Sequence, residues 1–331
     1  MKLKKCAALL LVSSCLLTGC TTSSAKKVDS KYVVASLEKG NKTKNIFADN
    51  LYKDIIDNSS NNSTVFNAVL QNLVDQKFPV NDDMKEDAAT IIKQIKSAYK
   101  SNYGDNYKDS LNQALTSAGY KNLSEYRQKM IKQIQYANFL LDYIDDHFDD
   151  VFNDYYQQCA PKYVSLIKIS VPDTSSPTDD ETSKLNEVKE LISNTDKSFG
   201  DIAQDYSNDS TSSKKGSLGI VDSKDTSGIA NSYGKDVFNA IEALSEGQVS
   251  DVITGDNGYY FVKVTSTDKK TLKKELKKTD IDSPLLAYDD YLQYVVYNSY
   301  KINYKDKDIK KIVQEVVNKA LEERKTERGE A

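Results

Sequence analysis

Few side chains in this sequence could carry out acid–base or metal chemistry. His147 is the only histidine among the 331 residues, which excludes metal sites built on several histidines and argues against a Ser-His-Asp triad. The acidic pairs Asp145-Asp146 and Asp149-Asp150 could bind calcium, but the motif Asp-x-Asp-x-Asp-Gly is absent and a solvated helix face is the stronger interpretation. The sequence therefore predicts neither a metal ion nor another cofactor.

The amino terminus points to export and lipid attachment. Lysines precede a short apolar run over residues 7–17, which is too short to span a bilayer and has the layout of a secretory signal peptide. The run ends in Leu17-Thr18-Gly19-Cys20, which resembles a bacterial lipobox. The resemblance implies cleavage of a signal peptide over residues 1–19 and a diacylglyceryl group on Cys20. Cys6 and Cys15 would leave with the signal, so only Cys159 would remain as a free thiol, with the properties of a small buried hydrophobe.

The charge of the exported chain limits its partners. Removal of residues 1–19 would take away three lysines and no acidic residue, so the formal net charge would change from −4 to about −7. A net-acidic body is not attracted to nucleic acid or to anionic lipid. The sequence therefore predicts no nucleic-acid partner and an extracytoplasmic location, with membrane affinity supplied by the lipid on Cys20.

Hydrophobic periodicity predicts a helical first half. Residues 20–30 are small and polar, as in a flexible tether, and residues 32–37 are typical of a strand before a turn at Gly40-Asn41. Residues 43–157 are predicted to form about five or six helices. The predicted helix starts and breaks are a capping box of Asp83 with Glu86, a cap of Asn122 with Glu125, and interruptions near Pro79, Gly104 and Gly119-Tyr120.

From Pro161 onward the pattern changes to strand, helices and strand, which favours a compact α+β domain. The predicted strands are 163–170 and 259–264, and the predicted helices are 182–193, 199–206 and 237–244. A lysine-rich linker or helix face follows at 268–278, and amphipathic helical patterns cover 287–300 and 309–321.

Three stretches within residues 162–266 resemble motifs of the parvulin-type peptidyl-prolyl isomerases. Residues 199–209 (FGDIAQDYSND) match a F-x-x-L-A-x-x-Y-S-x-D stretch, residues 214–219 (KKGSLG) match a G-G-x-L-G turn, and residues 240–250 match A-x-x-x-L-x-x-G-x-V-S. The order of lipobox, early strand, helices, this domain and a terminal helix also resembles the PrsA family of lipid-anchored extracellular foldases, which is related to the periplasmic SurA chaperones.

The resemblance implies an α+β protein with a mostly helical chaperone domain. That domain would be built from residues 31–160 and 268–326, with a parvulin-like domain inserted at 161–267, a lipidated tether at 20–30 and a tail at 327–331. It implies a foldase on the outer face of a Gram-positive cell membrane, acting on unfolded or partly folded exported proteins. Relatives can dimerise through the helical region, so a homodimer is an open alternative.

Departures from the parvulin motifs bear on catalysis. Active parvulins carry two histidines in the pocket, and Leu166 and Tyr260 stand at the matching positions here. Asp209 matches the family's Asp/Cys position, so it is the candidate catalytic residue. Ser217 replaces the second glycine of the glycine-rich turn, which is one residue short. The resemblance implies a substrate-binding wall formed by Leu166, Leu218, Val221, Val237, Phe238 and Tyr260, with Val237 or Phe238 as the apolar side.

Three hypotheses follow. The first is an ATP-independent foldase or holdase whose parvulin-like domain binds prolyl peptides and is weakly active or inactive, because the polar preorganisation that stabilises a twisted amide is missing. The second is an active isomerase that uses Asp209 and Tyr260, since a phenol can donate and accept a hydrogen bond. The third is a surface lipoprotein for adhesion or structure, which no repeat or stalk in the sequence favours.

Overall fold

The computed structural model describes residues 27–39, 42–277 and 280–330. The predicted signal peptide, Cys20 and the turn at Gly40-Asn41 lie outside these residues. The described chain divides into two compact units, a central unit of residues 81–290 and a terminal unit of residues 27–80 with 291–330. This division groups residues 81–160 with the sheet that follows them, whereas the predicted chaperone domain joins them to the C-terminal helices. The predicted domain boundaries stay a prediction.

The described residues are mostly helical. The α-helices are α1 (Ala48–Ile56), α2 (Asn62–Lys77), α3 (Asp82–Tyr103), α4 (Tyr107–Ser117), α5 (Leu123–Asp146), α6 (Phe148–Cys159), α7 (Asp179–Asn194), α8 (Phe199–Tyr206), α9 (Ile229–Tyr233), α10 (Lys235–Ala243), α11 (Lys269–Leu276), α12 (Leu292–Ser299) and α13 (Lys307–Glu327). The strands are β1 (Lys27–Val28), β2 (Lys31–Lys39), β3 (Lys42–Phe47), β4 (Lys162–Ser170), β5 (Ser217–Val221), β6 (Ile253–Gly255) and β7 (Gly258–Ser266). None of the helices in this part of the chain combines the length and the apolar character needed to cross a bilayer.

The terminal unit combines a small sheet with a helical core. Strands β1, β2 and β3 form an antiparallel sheet in that order, and α2 packs against α13. Val74 of α2 and Val313 of α13 are fully buried, because apolar residues recur every three or four positions along both helices. The ring of Phe66 lies in the same core, with its centroid 4.9 Å from that of Tyr294.

The first half of the central unit consists of helices α3 to α6, and polar side chains set where two of them begin. Asn81 accepts a hydrogen bond from a first-turn N–H of α3 at 2.9 Å, and Asn122 accepts one from the N–H of Glu125 at 2.9 Å. Each cap satisfies a backbone donor that has no partner within the helix. The predicted cap of Asn122 with Glu125 is confirmed. The predicted capping box of Asp83 with Glu86 is wrong, because α3 begins earlier, after Asn81.

The second half of the central unit is built on a four-stranded antiparallel sheet in the order β5-β4-β7-β6. Alternate residues of a strand point to opposite faces. On one face, Ile167 and Phe261 pack against α7 and α8; we call this the α7–α8 face. On the other, Leu166 and Val262 pack against α9 and α10; we call this the α9–α10 face.

Helix α6 is joined to the sheet through a buried hydrogen-bond network. The Tyr155 hydroxyl donates to Asp222 Oδ2 at 2.8 Å, and both side chains are fully buried. Asp222 also accepts from the N–H groups of Lys224 and Thr226, at 3.0 and 3.2 Å, and from the Thr226 hydroxyl. The ring of Tyr288 meets that of Tyr155 edge-on at 5.4 Å. The network therefore fixes one helix against the end of β5.

The predicted α+β class is confirmed, with local corrections. The strands predicted at 163–170 and 259–264 correspond to β4 and β7, and the helix predicted at 199–206 has the bounds of α8. Residues 43–47, predicted helical, belong to β3 because they pair with β2. Residues 27–30, predicted as tether, form β1 and a turn. Strands β5 and β6 and helix α9 were not predicted, because five residues or fewer give no usable periodicity.

Candidate functional site

Leu166 and Tyr260, the positions where the parvulin resemblance implies histidines, lie on one face of the sheet. In the β4–β7 register, Leu166 is opposite Val262 and Lys168 is opposite Tyr260. Paired residues of an antiparallel sheet point to the same side, so Leu166 and Tyr260 are diagonal neighbours on the α9–α10 face. Leu166 is fully buried and Tyr260 is 4% exposed. The two side chains therefore belong to the same buried cluster.

All six predicted binding residues belong to one hydrophobic cluster on this face. Leu166, Val221 and Val237 are at most 1% exposed and form its interior. Leu218 and Phe238 are half-buried at its edge. A peptide bound here would first contact the half-buried side chains, while the interior ones support them from below. Their role in substrate binding stays a prediction.

The glycine-rich turn between α8 and β5 holds the backbone close to Leu166. Gly216 has a φ of +76°, and a Cβ at this position would lie 2.5 Å from the Leu166 carbonyl oxygen. The Leu166 N–H donates to the Gly216 carbonyl at 2.8 Å. Only glycine fits such an approach without displacing β4. The turn therefore keeps its first glycine for a steric reason, even though Ser217 replaces the second.

Tyr260 is held at the edge of the cluster by polar neighbours. Its hydroxyl donates to Asn257 Oδ1 at 2.7 Å, and Lys168 Nζ donates to the same oxygen at 2.8 Å. The Lys168 ammonium also lies over the Tyr260 ring, 5.5 Å from its centroid. A Cβ at Gly255 would lie 2.7 Å from Tyr260 Cε2. Glycine at that position therefore provides the space that the phenol ring occupies.

Asp209 lies in the loop after α8 and reaches the same cluster through a tyrosine. Its Oδ1 accepts a hydrogen bond from the Thr211 N–H at 2.9 Å and a long one from the Tyr233 hydroxyl at 3.4 Å. The Tyr233 ring meets the Tyr260 ring edge-on, with centroids 6.2 Å apart. Asp209, Tyr233 and Tyr260 thus form a polar rim beside the apolar cluster.

Both phenols of this rim are neutral at physiological pH. Burial, followed by the negative charge of Asp209, raises the pKa of Tyr233 above its ordinary value of 10.0. Burial also raises the pKa of Tyr260, with smaller contributions from Asp209 and Asp256. Each hydroxyl can therefore donate one hydrogen bond, but neither can act as a base near pH 7.

Sequence reasoning missed Tyr233, Lys168 and Asn257 as neighbours of the site. Tyr233 lies in the five-residue helix α9, and its link to Asp209 spans 24 residues of sequence. No local pattern marks such a contact. Lys168 could have been found, because strand alternation places it two residues after Leu166 on the same face.

The residues at this site offer an apolar surface, one carboxylate and two phenols. Across the described residues, no group of three or more His, Cys, Asp or Glu side chains could hold a metal ion. His147 lies between α5 and α6, where its ring stacks on Tyr143 at 4.1 Å. The arrangement suits the binding of an apolar segment more than proton transfer.

Comparisons with known proteins identify this part of the chain. Residues 166–266 match the family model "Rotamase: PPIC-type PPIASE domain". Over 141 residues the chain is 32% identical to Foldase protein PrsA of Staphylococcus epidermidis, covering 40% of this chain and 41% of the relative. Foldase protein PrsA of Staphylococcus aureus matches with the same identity and coverage. The alignment thus spans about two fifths of the length of the curated relatives.

Two solved structures are similar over more of the chain. The crystal structure of foldase protein PrsA from Streptococcus pneumoniae has a TM-score of 0.39 and 19% identity, covering 85% of this chain and 99% of that chain. The crystal structure of PrsA from Bacillus subtilis has a TM-score of 0.39 and 21% identity, covering 85% and 97%. The family match covers most of the four-stranded sheet and the candidate site, and the expected parvulin-type domain is confirmed.

Proposed function

Because residues 166–266 form a PPIC-type peptidyl-prolyl isomerase domain, we propose that the chain is a lipid-anchored, extracytoplasmic foldase for exported proteins. In this proposal the isomerase domain binds prolyl segments but accelerates their isomerisation weakly or not at all. The observation that supports it is that Leu166 and Tyr260, the positions where the parvulin resemblance implies two imidazoles, lie together in one cluster.

The chemistry of prolyl isomerisation explains why that pair matters. Rotation about the X–Pro bond twists a partial double bond against a barrier of about 18–20 kcal/mol, and no covalent bond is made or broken. The protein must bind the twisted amide more tightly than the planar one, through oriented polar groups. Leu166 offers no polar group, and the Tyr260 hydroxyl already donates to Asn257. Removing one such donor commonly lowers kcat by about 10²–10³.

A protease-coupled assay on a proline tetrapeptide tests the catalytic part. We expect kcat/KM at least about a hundredfold below that of a parvulin with both histidines. Restoring both with Leu166→His and Tyr260→His should raise it, and a thermal melt verifies that the variant is folded. A wild-type rate close to that of an active parvulin would refute weak catalysis.

Binding is tested separately with a fluorescently labelled prolyl peptide. Leu218→Ala should weaken binding, because Leu218 is half-buried on the α9–α10 face. Leu191→Ala is the matched control, since Leu191 is a half-buried leucine on the α7–α8 face. Equal effects of the two substitutions would mean that peptides do not bind on the α9–α10 face.

A second candidate function is an active isomerase with an altered pocket. It is favoured by the hydrogen bond from Tyr233 to Asp209, which gives the carboxylate an oriented position beside Tyr260. If this function is correct, Asp209→Ala lowers a substantial wild-type rate by about tenfold or more. An unchanged rate after this substitution removes the second candidate.

The terminal unit supplies support for a holdase role. Large apolar side chains that are 40% or more exposed concentrate there: Val28, Tyr32, Val34, Ile46, Leu51, Tyr52 and Ile55. Exposed apolar surface of this kind is typical of interaction sites. Leu51→Ser with Ile55→Ser should reduce suppression of client aggregation, whereas Tyr103→Ser, at an exposed tyrosine of the central unit, should not. Loss of suppression in both variants would indicate a nonspecific effect.

Anchoring is tested by cell fractionation. Wild-type chain should be recovered with membranes, and Cys20→Ala should release it into the medium. Recovery of the wild type in the medium would contradict lipid attachment. An unchanged exported proteome in a deletion strain would favour the alternative of an adhesive or structural lipoprotein.

A further inference from the structure

A pocket of about 400 Å³ lies on the side of the sheet opposite the proposed peptide site. It is formed by the first residues of α8, the turn before β5, and the strands β4, β5 and β7. We call it the α8 pocket. The residues proposed to bind prolyl peptides do not line this pocket. It is therefore separate from the site described above.

The floor of the α8 pocket is a polar row in a sheet face that is otherwise apolar. Ser217, Ser165 and Lys263 lie opposite one another across β5, β4 and β7, whereas Ile167 and Phe261 of the same face are buried in the core. Ser165 is only 7% exposed, and within the described chain its hydroxyl has no hydrogen-bond partner. The Ser165 side chain lines the pocket, so its hydroxyl can donate a hydrogen bond to an acceptor atom there.

One wall of the pocket is the N-terminus of α8. Ser198 caps the N–H of Asp201 at 3.1 Å, while the N–H groups of Phe199 and Gly200 precede the intrahelical ladder and have no carbonyl partner in the helix. These donors and the helix dipole favour a negative charge at this position. A Cβ on Gly200 would lie 3.1 Å from Lys215 Cβ, so glycine lets the first turn approach the lysine closely.

The charges around the pocket are mostly positive. Lys214, Lys215 and Lys263 all line it. Lys215 pairs with Asp201 at 2.7 Å, but Lys214 and Lys263 have no ion-pair partner among the described residues. The pocket is thus a local basic site on a chain whose formal net charge is −4.

From the unpartnered Ser165 hydroxyl, the free N–H groups of α8 and the lysines, we propose that the α8 pocket binds a phosphate group. Phosphate oxygens would accept from the hydroxyl and the backbone donors, and the lysines would supply charge-assisted hydrogen bonds. The inference is independent of the foldase function, because it uses the other face of the sheet. The same chemistry could be presented by free phosphate, by a small phosphate ester or by a lipid headgroup.

The test uses the full-length chain, labelled with ¹⁵N, and inorganic phosphate as the probe at constant ionic strength. Saturable shifts of the Gly200 and Ser165 amide signals support the proposal. Absence of saturable shifts at millimolar phosphate overturns it. This measurement needs no variant, so it does not depend on the folding of a mutant.

Charge variants then distinguish phosphate binding in the α8 pocket from a general effect of removing positive charge. Lys214→Gln with Lys263→Gln should weaken phosphate binding by about tenfold or more. Lys235→Gln is the matched control, because Lys235 is an exposed lysine at the N-terminus of α10, and it should leave the affinity unchanged. Equal weakening by the control and the double variant would overturn the proposal.

Cosedimentation with vesicles distinguishes the sources of phosphate. Vesicles of phosphatidylglycerol are compared with vesicles of phosphatidylcholine, using wild type and the double lysine variant. Lysine-dependent binding together with phosphate-induced shifts supports the proposal and makes a headgroup one source. Vesicle binding without any phosphate-induced shift overturns it.

Discussion

Two tyrosine–aspartate pairs in the central unit have the same chemistry in different surroundings. Tyr155 and Asp222 are fully buried, and their hydrogen bond is 2.8 Å long. Tyr233 and Asp209 lie at the edge of the candidate site, with a distance of 3.4 Å between the corresponding atoms. Asp222 accepts from four donors, whereas Asp209 Oδ1 accepts from two.

The difference indicates which of the two pairs contributes more to the stability of the folded chain. A buried carboxylate is tolerated when donors surround it, and removal of either partner then leaves polar groups unsatisfied. Asp222 meets this description. A half-buried pair with a long hydrogen bond contributes less to stability. The Tyr233–Asp209 pair has these properties.

Among the variants that test this comparison, Asp222→Ala is expected to have the largest effect on the free energy of unfolding. The substitution leaves the Tyr155 and Thr226 hydroxyls and two N–H groups without an acceptor, so we expect a loss of about 3–5 kcal/mol in the free energy of unfolding. Asp209→Ala should cost less than about 1 kcal/mol. Urea denaturation followed by circular dichroism measures both, since the chain has no tryptophan. Equal losses would mean that the two pairs do not differ in structural role.

Substituting the tyrosine of each pair should give the same order of effects on the free energy of unfolding. Tyr155→Phe removes one donor to a buried carboxylate and should lower the free energy of unfolding by about 1–3 kcal/mol. Tyr233→Phe removes a long, partly solvated hydrogen bond and should lower it by less than about 1 kcal/mol. The same denaturation measurement applies. A greater loss for Tyr233→Phe would reverse the assignment.

The dependence of stability on pH above pH 10 provides a further test of this comparison. Burial and then the charge of Asp222 raise the pKa of Tyr155 above its ordinary value of 10.0. A raised pKa in the folded state means that the stabilisation is fully present below about pH 10 and is lost as the pH rises further, by about 1.4 kcal/mol per pH unit for one phenol. Wild type should therefore lose stability above pH 10 more steeply than Tyr155→Phe. Parallel curves for the two proteins would contradict this.

The smallest expected effect concerns peptide affinity. Tyr233→Phe should change the Kd for a prolyl peptide by about threefold, because one weak hydrogen bond contributes about 0.5–1 kcal/mol. Tyr155→Phe should leave the Kd unchanged in the folded protein, since Tyr155 belongs to the buried hydrogen-bond network around Asp222 and not to the candidate site. Fluorescence anisotropy measures both. If only Tyr155→Phe changed the Kd, peptide binding would depend on the Tyr155–Asp222 pair and not on the Tyr233–Asp209 pair.

Local sequence features predicted much of the fold and part of the site. Helix α8 was predicted with its observed bounds, and in the structure the Ser198 side chain caps its first turn. The parvulin resemblance assigned Leu166 and Tyr260 to one binding wall, and the β4–β7 register places both side chains on one face of the sheet. Residues 43–47 were assigned to a helix, since strand pairing with β2 depends on a partner that periodicity does not reveal.

The sequence by itself determined the α+β class and the parvulin motifs, because residue type and short-range spacing are properties of the chain. Only the tertiary structure decided that Tyr233 links Asp209 to Tyr260, that Gly255 makes room for the phenol ring, and that serine and lysine side chains meet beneath α8. Each of these depends on residues distant along the chain approaching within a few ångströms. Such approaches are set by strand register and helix packing, which a local pattern does not specify.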